Sequence, residues 1–245
     1  LQRKIVFNVS GKPNKPLYYG LKGVNELKIR TIDGINLLSW YCSARKGKPT
    51  LLYFHGNSFD IGERSYRIKR YIDCGWGVLL ISWRGFSGNQ GKPSEKNLYI
   101  DAKSALNWLE TKALVKKTNT IVYGESLGTA VALEMGIHYS FKSIILEAPF
   151  TSIYDISKKR YKIYPFQFLI LDKFDNLSKI NKVNSPILII SGKKDEVIPH
   201  NHSVKLFSKA NFQKKSLFID EAMHNNLYDF GIEKKVISFS LKSWK

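Results

Sequence analysis

Residues 124–128 read Gly-Glu-Ser-Leu-Gly, one hydroxyl between two glycines, behind the apolar run 121–123 and ahead of an Ala-rich amphipathic stretch. At a sharp turn from strand to helix such a serine takes a strained backbone conformation, and side chains at the flanking positions would collide with neighbouring backbone. Gly124 and Gly128 are then the elbow glycines. The Ser126 oxygen would project from the sheet edge beside a helix N-terminus, whose free N–H groups favour developing negative charge. A hydroxyl becomes a useful nucleophile when a base takes its proton and an acid holds that base. Both types follow downstream at apt places. Asp195 comes after the buried run in "PILIISGKKDEVIP", and His224 comes four residues past the run in "KSLFIDEAMHNNLYDF".

Other residues compete for these roles. Glu147 ends the run "IILEAPF" and is an alternative acid, whereas Asp220 and Glu221 read as surface groups. His138, His200 and His202 have no comparable placement and read as belonging to helix ends. An acyl-transfer oxyanion needs two backbone donors. The N–H of Leu127 is one; the other is assigned to Asn57, after "TLLYF" and His55-Gly56, with Ser58 the neighbouring alternative. The bland reading of His55-Gly56 is a simple chain turn. Such chemistry calls for no cofactor. His55, Glu63, Asp195 and His224 do not form a zinc-binding set, so no metal is expected. The glycine-rich loop 85–95 lacks the phosphate-loop spacing and reads as a structural rim.

The elements that must position these groups alternate along the chain. Strand-like runs at 26–32 and 35–41 form a hairpin across Asp33-Gly34. Continuous apolar runs at 50–54, 77–83, 120–123, 143–146 and 186–191 read as strands buried on both faces, and 215–220 adds another. Helical spacing covers 61–73, 94–113 with Ser94 as N-cap, the stretch from the elbow to about 138, one segment after 191, and 226–243. Strands alternating with crossover-length helices predict a three-layer α/β fold, a mostly parallel sheet with helices on both faces. Functional groups gather at the carboxyl ends of such strands. We expect one domain over 1–245, with a short cap-like insertion at about 149–185. Its "RYKIYPFQFLILDKF" stretch either lines an acyl pocket, with Lys158, Lys159, Arg160 and Lys162 outward, or packs on the core as a helix.

The composition, 43% hydrophobic and 24% charged, suits a soluble globular protein, and no run approaches the ~18 apolar residues of a membrane helix. The net charge of +19 comes from 39 Lys and Arg against 20 Asp and Glu. It reads either as coding bias, since lysines dominate and are dispersed, or as attraction to an anionic membrane surface. No nucleic-acid-binding signature accompanies it, so no nucleic-acid partner is expected. Cys42 and Cys74 read as small core residues in a reducing setting. The chain begins at Leu1, and a leader or anchor ahead of it is expected to set any membrane association of a cytoplasmic protein.

Taken together, "YFHGN", "SWRGFSGNQGKPSE", "YGESLGTAVALEM", "EAPFTSIYDI", "KFDN", "PILIISGKKDEVIP" and "MHNNLY" resemble the Bem46-like branch of the α/β hydrolases, which includes alpha/beta hydrolase domain proteins 13 and 17. The likeness runs from about residue 25 to 235. It implies a serine hydrolase with Ser126 as nucleophile, Asp195 as acid and His224 as base, in the chain order Ser–Asp–His of that fold. The substrate it implies is a small-molecule or lipid acyl ester or thioester, since some members remove palmitoyl groups from cysteines. The branch usually has His-Asn-Asp-Leu where this chain has His224-Asn225-Asn226-Leu227, and the Cys-rich leader of its depalmitoylating members is absent here. A peptidase-like hydrolase, and a non-catalytic binding protein on the same fold, are the alternative functions.

Overall fold

Five runs are buried along their whole length: Thr50–Phe54 (β3), Gly77–Ile81 (β4), Thr120–Glu125 (β5), Ser143–Glu147 (β6) and Ile187–Gly192 (β7). The computed structural model describes residues 3, 6–9, 11–161, 170–211 and 213–244, the side chains of 159–161 excepted. With Asn25–Arg30 (β1), Asn36–Cys42 (β2) and Lys214–Ile219 (β8), these strands form one eight-stranded sheet in the order β1-β2-β4-β3-β5-β6-β7-β8. β1 and β2 form the antiparallel hairpin, and β2 also pairs antiparallel with β4; every pairing from β4 to β8 is parallel.

Period-two alternation divides the buried strands between two cores. Leu52, Phe54, Val122, Ile144 and Ile189 face Glu95–Thr111 (α2), Leu127–His138 (α3) and Asn201–Lys209 (α5). Leu51, Tyr53, Tyr123, Ile145 and Ile190 face Ser65–Asp73 (α1) and Ile232–Leu241 (α6). The result is the three-layer α/β fold that the pattern predicts. Ser94 caps α2, its hydroxyl accepting from the Asn97 N–H at 3.2 Å. The helix expected at 61–73 is split into a 3₁₀ turn at Ile61–Arg64 and α1. The terminal helix is likewise split, because Gly231 takes a left-handed conformation between a 3₁₀ turn at Leu227–Phe230 and α6.

Between β6 and β7 the chain forms Ile153–Tyr161 (α4) and a 3₁₀ turn at Ile180–Lys182. Residues 162–169, most of the expected acyl-pocket stretch, lie outside the described residues, as do Lys162 and the side chains of Lys159 and Arg160. Lys158 is exposed, and Phe174 is fully buried against Phe7 and Tyr99. The expectation for the cysteines fails: Cys74 is exposed as the C-cap of α1 and Cys42 is only half-buried, both as free thiols. No helix among the described residues is long and apolar enough to cross a membrane.

The strand order contains a reversal that matters. From β3 the chain crosses to β4 on one side, whereas from β5 it crosses to β6 on the other. The loops leaving the carboxyl ends of β3 and β5 therefore diverge, and that crevice is where ligands bind in open α/β sheets.

Candidate active site

Ser126 stands at this crevice, between the last residue of β5 and the first of α3. Its φ of 51° and ψ of −112° are a strained combination for a residue with a side chain, of the order of 1–3 kcal/mol. Close approach imposes it. A Cβ on Gly124 would lie 2.5 Å from the Gly128 carbonyl oxygen, and one on Gly128 would lie 2.0 Å from the Phe54 carbonyl oxygen. Helix α3 thus packs onto the ends of β3 and β5 with no room for another atom. The Ser126 N–H donates to the Glu147 carbonyl at 2.8 Å, fixing the turn against β6. Phe59, Ser87 and Ala148 also have positive φ, so strained residues follow β3, β4, β5 and β6 alike.

Asp195 and His224 sit on the loops after β7 and β8. His224 Nδ1 lies 2.7 Å from Asp195 Oδ2. The other carboxylate oxygen accepts from the N–H groups of Val197 at 2.9 Å and Ile198 at 2.7 Å, so the acid is aimed by its own turn. The Asp195 side chain is fully buried; that of His224 is 13% exposed. The two loops are laced together, with Lys193 N–H donating to Ile219 at 2.8 Å and Lys194 N–H to Ala222 at 3.0 Å. Gly192 permits this, since a Cβ there would lie 2.0 Å from the Ala222 oxygen. Asn226 accepts from the Met223 N–H at 2.7 Å through its side-chain oxygen, a task an amide performs as well as the carboxylate usual at this position.

Burial raises the Glu147 carboxyl above its ordinary range, against the pull of the facing Arg67 guanidinium. The Glu147 backbone holds Ser126, which ties the elbow to the end of β6. Ser126 Oγ and His224 Nε2 have no hydrogen-bond partner among the described residues.

Asn57 is half-buried on the loop after β3, and its side-chain oxygen accepts from the Asn8 N–H at 3.0 Å. The Trp83 N–H donates to His55 Nε2 at 3.3 Å, so the proton sits on Nδ1, which lies 2.7 Å from the Gly56 oxygen. In a trans peptide the C=O and the following N–H point opposite ways. With the Gly56 carbonyl held toward His55, the Asn57 N–H is turned away from it. Leu127 is the first residue of α3, and no carbonyl of its own helix can accept its N–H. The Ser58 carbonyl is engaged by Arg64 at 2.6 Å.

The competing residues are occupied elsewhere. Glu147 is bound by Arg67 at 3.0 Å and by the Tyr123 hydroxyl at 2.6 Å. Asp220 and Glu221 are exposed partners of Lys193 and Lys194. His138 pairs with Glu134 on α3, His200 with Ser191, and His202 with Thr151. Among the described residues no cluster of His, Cys, Asp and Glu is arranged to hold a metal ion.

Sequence reasoning placed His55-Gly56 in the oxyanion loop, with a simple turn as the alternative, but gave His55 no hydrogen-bonding part in that loop and did not see Gly192 as a point of contact. Their signals were a histidine directly after a buried strand and a glycine ending another.

The relatives of the chain agree with this architecture. A family model described as the prolyl oligopeptidase family matches residues 86–226, more than half of the chain. Protein bem46 of Schizosaccharomyces pombe is 34% identical over 216 residues, covering 82% of this chain and 70% of that protein. The human alpha/beta hydrolase domain-containing protein 17B is 34% identical over 191 residues, covering 75% of this chain but 63% of its own length, so this chain spans less than two thirds of that relative. An esterase of Pyrococcus furiosus, of known structure, superposes with a TM-score of 0.76 over 95% of this chain and 97% of its own, at 20% identity, a likeness of fold. By the matched family and the identity to bem46, this chain belongs to the α/β hydrolases, in their Bem46-like branch.

Proposed function

We propose that the protein is a serine hydrolase that cleaves carboxylic esters or acyl thioesters through Ser126, His224 and Asp195. The observation that carries this is a strained Ser126 on the same sheet edge as a bonded His224–Asp195 pair. His224 Nε2 takes the Ser126 proton as Oγ attacks the substrate carbonyl, and Asp195 stabilises the imidazolium. The N–H groups of Asn57 and Leu127 receive the oxyanion. Collapse breaks the bond to the alcohol or thiol, which leaves with the proton from His224. Water, deprotonated by the same histidine, then releases the acid and restores Ser126.

An acyl substrate suits the surroundings. Phe59 (61% exposed), Val197 (49%) and Met223 (47%) are apolar side chains carried by the three loops that bear Asn57, Asp195 and His224. Such residues can meet an acyl chain, and the +19 charge favours one presented at an anionic membrane surface. The matched family's name keeps a second reading open, cleavage of peptide amides.

Turnover of p-nitrophenyl esters of increasing chain length, an acyl thioester and a p-nitroanilide amide separates the two. We expect an optimum chain length and ester or thioester kcat/KM at least about 100-fold above the amide, whose poorer leaving group depends more on proton transfer from His224. Comparable amide turnover would move the assignment to a peptidase.

A further inference from the structure

Four charges lie buried beneath the elbow, on the α1 side of the sheet. Arg64 and Arg67 come from the turn before α1 and from α1 itself, while Glu125 and Glu147 are the last residues of β5 and β6 and register partners in the sheet. None is more than 8% exposed. Arg64 grips the Glu125 carboxylate with two donors, Nε to Oε2 at 3.0 Å and Nη2 to Oε1 at 2.7 Å. Its remaining terminal nitrogen, Nη1, donates to the carbonyls of Ser58 at 2.6 Å and Asp60 at 3.3 Å. Arg67 holds Glu147 at 3.0 Å and lies 3.4 Å from Glu125. Tyr53 donates to Glu125 at 2.9 Å.

Two positive and two negative charges balance, so the set is electrically closed. Stability alone is a poor reason for it, because well-packed apolar residues usually serve as well as a buried ion pair. What the ions supply, and hydrocarbon cannot, is direction. The guanidinium of Arg64 spans two segments that diverge in the chain: the loop 55–60 after β3, and the residue immediately before Ser126. The first is strained and the second adjoins strain, with φ of 66° at Phe59 and 51° at Ser126, and strained backbone persists only where its surroundings over-determine it. Gly56 completes the fit, since a Cβ there would lie 3.0 Å from Glu125 Oε1.

We propose that Arg64 is a positioning residue that clamps the Asn57 loop to the Ser126 elbow, so that the two oxyanion donors are held at a fixed separation. This rests on Ser126 being the nucleophile and Asn57 and Leu127 the donors. A lysine at 64 could meet Glu125 or Ser58, but its single ammonium lacks the planar fork that joins both. Glu125→Gln keeps the donors by which Arg64 holds Ser58 and Asp60, while it weakens the Glu125 arm together with the contacts of Glu125 to Tyr53 and Arg67.

The test is kcat and KM per active site, titrated with a fluorophosphonate, in the wild type, Arg64→Lys and Glu125→Gln, with hydrogen exchange of residues 56–60 alongside. We expect Arg64→Lys to lose about 30-fold or more in kcat per titrated site, short of or up to the ~10²–10³ that complete loss of one oxyanion donor costs, with KM changed less than about threefold. Glu125→Gln should lose less, about 3–10-fold, and exchange in 56–60 should quicken in both. A merely structural pair would lower Tm and the titratable fraction while leaving kcat per titrated site unchanged, and that result overturns the clamp. Should Arg64→Lys fail to fold, Glu125→Gln decides alone: unchanged kcat per site with unchanged exchange overturns it. A wild type that takes no label at Ser126 overturns the nucleophile assignment, and the clamp with it, whereas a labelled wild type isolates the fate of the clamp.

Discussion

His55 shows how one side chain carries a pH dependence away from the reacting atoms. Burial, reinforced by the nearby Arg64 charge, pushes its imidazole down from 6.5 to about 3. The unfolded chain takes a proton there below pH 6.5, and the folded chain does not until about pH 3. Stability from this group is therefore complete above pH 6.5 and is lost as pH falls through the window between the two values. His55→Gln, which cannot be protonated, should show a smaller fall in Tm between pH 7 and pH 4 than the wild type, by differential scanning calorimetry. Equal falls would mean that His55 is not held neutral by the fold. Ser126, the proposed nucleophile, is itself strained: its φ is 51°, beside two glycines packed so closely that neither has space for a Cβ.

At the scale of elements, the site is a set of strand ends, and their mutual lacing is as important as the groups they bear. Gly192→Ala would place a methyl 2.0 Å from the Ala222 oxygen and force the loops after β7 and β8 apart. We expect a loss of at least about 100-fold in kcat, the lower range for a displaced general base, and loss of the low-field proton resonance of the His224–Asp195 hydrogen bond. A retained resonance with unchanged kcat would show the two loops to be positioned independently. The strands were readable because buried parallel strands are uninterrupted apolar runs, and β3 falls at residues 50–54 as the run does. The positions of Ser126, Asp195 and His224 after strand ends were readable because each follows such a run. Arg64, Arg67 and Glu125 were not, since their partners lie 61 to 80 positions away in the chain, and pairing across a sheet leaves no local spacing to find. Helices 61–73 and 226–243 were drawn too long for a related reason: apolar spacing continues through a 3₁₀ turn unchanged, and only the backbone records the break.

For the whole molecule, the +19 charge makes a claim about surfaces rather than about the fold. Vesicles containing anionic phospholipid should bind the protein in 20 mM salt and release it in 500 mM, since the screening length falls from roughly 20 Å to under 5 Å across that range, while neutral vesicles should not bind. Sedimentation of the vesicles measures this, and salt-independent or lipid-independent binding would contradict an electrostatic origin. The central claim concerns Ser126, toward which the reversal of strand order, the strained elbow and the His224–Asp195 pair all converge. Treating the folded protein with a fluorophosphonate and locating the adduct by mass spectrometry tests it most directly. The account predicts a single phosphonylated residue, Ser126, formed in the wild type and absent in Ser126→Ala. A folded wild type that takes no label, or takes it on another residue, would contradict it.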